Sequence, residues 1–99
     1  MKASGDFSIG STVWTGTSKL IEEMGELHQV LGKLIGAHGE TAHYDGSDLR
    51  QRLVEEIGDL KAAIAFFQTL NLTEEENQQM AERIKKKLVL FQKWHEEGK

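Results

Sequence analysis

A chain of 99 residues without cysteine is long enough for one small domain and excludes disulfides, thiolate metal sites and a cysteine nucleophile. Its net charge of −4, from 16 acidic against 12 basic residues, argues against a broad basic surface for DNA or RNA. No run approaches the ~18 apolar residues of a membrane span, and residues 1–16 lack the apolar centre of a secretory signal, so the expectation is a cytoplasmic protein with no membrane partner.

Residues 1–16 are rich in Gly, Ser and Thr, with Phe7, Ile9, Val13 and Trp14 as their sizeable apolar groups. They read as an extended or partly ordered arm, and residues 17–99 as a helical domain. A first helix is expected from about Ser18 to Ile35, capped by Thr17 or Ser18 and stopped by Gly36. A loop follows that holds His38, His43, Tyr44 and Asp45. The second helix is expected from Ser47 or Asp48 to about Leu70. After a turn at Asn71 and Leu72, Thr73-Glu74-Glu75-Glu76 forms a capping box that opens a third helix running to about His95. Met80, Ala81, Ile84, Leu88, Phe91 and Trp94 share one face of it. No proline interrupts these segments and none alternates as a strand would. The fold class is all-α: an antiparallel helical hairpin plus a third helix. The apolar faces of the first two helices exceed what the third can cover, which predicts a four-helix-bundle-like core completed by dimerisation, as a homodimer or a dimer of dimers.

One octapeptide occurs twice. Leu20-Ile21-Glu22-Glu23-Met24-Gly25-Glu26-Leu27 returns 33 positions on as Leu53-Val54-Glu55-Glu56-Ile57-Gly58-Asp59-Leu60, with five of eight positions identical. Each copy sets three carboxylates at i, i+1 and i+4 in an apolar frame, so neighbouring helices bring six acids towards one place. On a helical wheel with Leu20 at zero, the apolar residues of the first helix fill an arc from about 280° round to 100°. Glu23 falls inside that arc, between Val30 and Leu34. Glu56 falls between Ala63 and Phe67, and Asp59 between Phe66 and Leu70. A solvated acidic face would lie opposite the stripe; these acids lie on its edge and within it.

A carboxylate taken from water must pair, protonate or coordinate a metal. Basic partners are few: Lys19 is one turn from Glu23, and Arg52 one turn from Glu56, both weak surface pairs. Two copies in one register point instead to a metal site. All-oxygen ligands favour Mg²⁺, with Mn²⁺ as a substitute, over Zn²⁺. Gly25 and Gly58, each disfavoured within a helix, point to close approach of a helix or ligand.

Glu22-Glu23-x-x-Glu26 followed by Glu56-x-x-Asp59 resembles the EExxE…ExxD signature of the MazG-type all-α nucleoside triphosphate pyrophosphohydrolases, relatives of the dimeric dUTPases and phosphoribosyl-ATP pyrophosphatases. The flanking words Lys19-Leu20-x-Glu22-Glu23-x-Gly25-Glu26-Leu27 and Glu55-Glu56-x-Gly58-Asp59-Leu60 extend the resemblance, which covers roughly residues 14–70. It implies Mg²⁺-dependent cleavage of an NTP or dNTP to the monophosphate and pyrophosphate, a nucleotide-pool house-cleaning hydrolase. By motif position, Glu23, Glu26, Glu56 and Asp59 would hold Mg²⁺, with Glu22 serving a second ion or the attacking water. This chain departs from the family pattern in a longer gap between the motifs and in the short arm that replaces a full leading helix.

The chemistry agrees with that implication, because a triphosphate is repelled by bare carboxylates and held once metal ions bridge them. Candidate substrate contacts are Lys19, Trp14 for stacking on a base, and Lys86 and Lys87 from the cluster Arg83, Lys85, Lys86, Lys87. Tyr44 and Trp94 are further stacking candidates. His28 reads as a core or interface histidine, and His38 with His43 as loop histidines. The alternative is a non-catalytic metal- or nucleotide-binding regulator, or a helical interaction module whose acids form interhelical salt bridges.

Overall fold

The computed structural model describes residues 6–42 and 48–98. Three helices follow in order: α1 Thr17–Gly36, α2 Leu49–Asn71 and α3 Glu74–Glu96. Among the described residues there is no β-strand, only an isolated antiparallel bridge between Ala42 and Asp48, and the chain is all-α. Among the described residues no helix is long and apolar enough to cross a membrane. His43, Tyr44 and the expected Ser47 cap lie outside the described residues.

The helix ends follow local chemistry. The Asp48 carboxylate accepts hydrogen bonds from the backbone N–H groups of Arg50 and Gln51 and so caps α2. At α3, the Thr73 hydroxyl accepts from Glu76 N–H while the Glu76 carboxylate accepts from Thr73 N–H, the reciprocal box expected from the sequence. At α1 the expectation fails. Its cap is Gly16, in the left-handed region at φ 87° with no side-chain bond, and Thr17 is already helical, its hydroxyl turned back to Trp14 C=O.

Gly16 owes its place to the arm, which is more ordered than its composition suggests. Phe7 N–H donates to Val13 C=O, Gly16 N–H to Ser8 C=O and Ser18 N–H to Phe7 C=O, folding residues 7–18 into a compact loop. The Asn71 amide at the end of α2 donates to Thr15 C=O at 2.8 Å and to Phe67 C=O at 2.9 Å. The Trp14 ring stacks on Phe67, centroids 6.1 Å apart and planes 11° from parallel. The start of α1 thus meets the end of α2, and the two helices form an antiparallel hairpin.

Within that hairpin both copies of the repeat use the same arc. Val30, Leu49 and Ala63 are the buried apolar residues among those described, all within an arc of roughly 280–320° on their respective helices. The arc from about 20° to 100° is left outside. It holds Ile21 (60% exposed), Met24, Leu31 and Ile35 (77%) on α1, and Val54 (62%), Ile57 and Ile64 on α2. Because the helices are antiparallel and the registers match, both stripes lie on one face. Gly25 and Gly58 border that face, and a methyl group at either would meet nothing within 4 Å. The close helix approach expected of them is therefore absent within one chain among the described residues. His28 is exposed on the same face.

α3 does not fold back over the hairpin. Only α1 and α2 pack extensively against one another, and α3 buries no residue. Ile84, Leu88, Phe91 and Trp94 stay exposed. A single chain therefore has a thin core.

Candidate metal centre

The two copies of the octapeptide converge where α1 and α2 run past each other. One carboxylate oxygen from each of Glu23, Glu26, Glu56 and Asp59 lies within 4.8 Å of every other. The sequence pointed to six acids in one place; the structure gathers four. Glu22 is exposed and accepts a hydrogen bond from Lys19 Nζ at 3.0 Å. Glu55 is exposed and faces Gln51 instead. The helical turn explains the division: Glu22 and Glu55 sit about 80° outside the packed arc, and the roughly 100° step to their successors brings those within it.

Electrostatics mark Glu23 and Glu56 as the strained members of the set. Glu23 Oε2 and Glu56 Oε2 are shielded from water without a hydrogen-bond partner, although the rest of each side chain is partly exposed. Burial of its charged form, followed by repulsion from Glu26, Asp59 and Glu22, pushes the Glu23 carboxyl above the usual carboxylate range. The Glu56 carboxyl is raised too, first by burial and then by its hydrogen bond to and repulsion from Glu26. Among the described residues no cation pairs with either of them directly; Lys19 opposes the rise at Glu23 only as the smallest of its causes. The only ion pair among the described residues is Lys19–Glu22, not the Lys19–Glu23 and Arg52–Glu56 pairs that sequence spacing allows. Lys19 is held protonated mainly by its hydrogen bond to Glu22.

These shifts have a sign that can be measured. A carboxyl with a raised value in the folded state binds its proton more tightly there than in the unfolded chain. Its contribution to stability is complete below the ordinary carboxylate range and is lost as pH rises through the raised values. The metal-free protein should therefore melt at a higher temperature when pH is lowered from neutrality into the mildly acidic range. Mg²⁺ at neutral pH should produce the same rise. A melting temperature that falls steadily with acidification would contradict the strained cluster.

The remaining candidates are dispersed. Trp14 is half exposed, yet one ring face is covered by Phe67. Lys86 and Lys87 lie on α3, away from the hairpin; Lys87 Nζ sits 6.0 Å from the Phe91 ring centroid, and Phe91 in turn meets Trp94. Residues that sequence reasoning missed lie beside the cluster. An open cavity of about 460 Å³ is walled by Ile9, Lys19, Glu23, Asp59, Ala62, Ala63 and Phe66. Ile9 and Phe66 carry no polar signal, and their juxtaposition depends on the folded arm.

No family model, no curated protein and no solved structure matches this chain.

Proposed function

We propose that this chain is a Mg²⁺-dependent nucleoside triphosphate pyrophosphohydrolase of the MazG type, cleaving an NTP or dNTP to the monophosphate and pyrophosphate and working as a homodimer. The observation that supports it most is the convergence of four carboxylates around two buried, unpartnered oxygens. The donor set fits a hard divalent cation, being all oxygen, rich in charge and free of histidine. Glu23, Glu26, Glu56 and Asp59 would hold it. Bound there, such an ion neutralises phosphoryl oxygens and lowers the pKa of bound water.

The protein's own residues supply position and proton transfer. Glu22 lies outside the four, exposed and next in sequence to Glu23; with one oxygen on Lys19, its other oxygen would accept the proton of an attacking water. Lys19 holds Glu22 in place and walls the cavity, setting a positive charge where a phosphate approaches. The unpartnered Ile21 and Val54 stripes supply a second copy with an apolar face.

A pyrophosphate-release screen over the common NTPs and dNTPs tests this. The expected result is Mg²⁺-dependent release from at least one of them, abolished by chelation. Metal and nucleotide binding without release from any would favour the non-catalytic regulator.

A further inference from the structure

Glu23 and Asp59 belong both to the acid cluster and to the cavity beside it. A molecule whose phosphates are held at the cluster must place its remainder in that cavity or in solvent. The cavity has the volume of a small-molecule site. The polar side chains among its described lining residues, Lys19, Glu23 and Asp59, are the same ones assigned to metal and phosphate. Beyond them the walls are Ile9, Ala62, Ala63 and the Phe66 ring.

The wall is built rather than incidental. Gly16 lies so close to Phe66 that a Cβ there would come within 2.9 Å of Phe66 Cδ2, and its φ of 87° disfavours any side chain. The Asn71 bond to Thr15 ties down the same loop that brings Ile9 to the cavity.

Resting on the metal-nucleotide reading above, we propose that this cavity receives the nucleobase of the bound nucleotide and recognises it by stacking and shape, not by hydrogen bonds. Phe66 is the stacking face, Ile9 the wall contributed by the arm, and Ala62 the residue that sets the depth. Trp14, the stacking candidate from sequence, is engaged with Phe67 instead. With no polar side chain spare for the base edge among the described residues, such a site discriminates weakly between bases of the same shape. An apolar pocket rejects a near-isostere by only about 10–200-fold, whereas one built on hydrogen bonds reaches about 10⁴ or more.

The experiment is calorimetric titration of the full chain with Mn²⁺ present, using α,β-methylene CTP, α,β-methylene UTP and inorganic tripolyphosphate. The cytosine and uracil rings share a shape but exchange an amino donor for a carbonyl acceptor. The wild type should bind both analogues within about tenfold of each other and more tightly than tripolyphosphate. Ala62→Leu, at an exposed position, and Phe66→Leu, which keeps an apolar side chain, should each weaken the analogues about tenfold and leave tripolyphosphate within about twofold. No change for either ligand, or equal weakening of both, overturns the assignment. So does a wild type that binds Mn²⁺ and tripolyphosphate but gains nothing from the nucleoside, and that result leaves the metal centre standing. Failure to bind Mn²⁺ overturns both.

Discussion

Glu56→Gln should abolish pyrophosphate release while leaving the metal-free protein as stable as wild type, or more stable. The substitution removes one of four converging charges and keeps the volume of the side chain. Glu56 Oε2 is buried without a partner, and its carboxyl is raised by burial and by Glu26, so the neutral amide suits the metal-free site better than the carboxylate does. The amide can also donate to Glu26. Turnover should fall by at least about a hundredfold, the upper end of what is lost when only a group behind a metal ligand is removed. If the acids existed for interhelical salt bridges, the same substitution would destabilise the fold by orphaning a cation. Arg52, the nearest candidate by sequence, makes no ion pair with Glu56, since Lys19–Glu22 is the only such pair among the described residues. Retained turnover would end the assignment of the site.

The second large effect concerns assembly. Ile21 and Val54 hold equivalent positions in the two repeats and are 60% and 62% exposed. A single chain gains nothing from them in water, and an apolar face of this extent marks an interaction surface. The wild type should scatter light as a dimer, or a dimer of dimers, at micromolar concentration. Ile21→Arg with Val54→Arg should leave the hairpin folded, because neither side chain is buried within it. The dimer should weaken by about a hundredfold or more, because two unpaired charges are then desolvated at the contact. A well-folded wild-type monomer at high micromolar concentration would contradict the homodimer, as would an unchanged mass for the double variant.

Features set by local periodicity were legible in the sequence. The repeat placed Glu23, Glu56 and Asp59 on the edge of the apolar stripe and within it, and the structure brings them together with Glu26. The Thr73–Glu76 box is also local, with both partners within one turn, and it formed as expected. Features that depend on contacts between distant segments were hidden. Nothing in residues 7–18 is periodic, and their loop requires left-handed backbone at Phe7 and Trp14, which is uncommon for such side chains. With the arm unread, Gly16 as the α1 cap, Ile9 and Phe66 beside the cluster, and Trp14 on Phe67 were out of reach. The amphipathic pattern of α3 told which residues share a face, but not that this face is left open in a single chain.

Whether the four gathered carboxylates form a divalent-cation site is decided by titrating metal-free protein with Mn²⁺ and following the free-ion signal by electron paramagnetic resonance. The expected result is about one tightly held ion per chain, displaced by excess Mg²⁺ and lost or severely weakened in Glu56→Gln. A wild type that leaves the free Mn²⁺ signal undiminished, or a Glu56→Gln variant that binds Mn²⁺ as the wild type does, would contradict it.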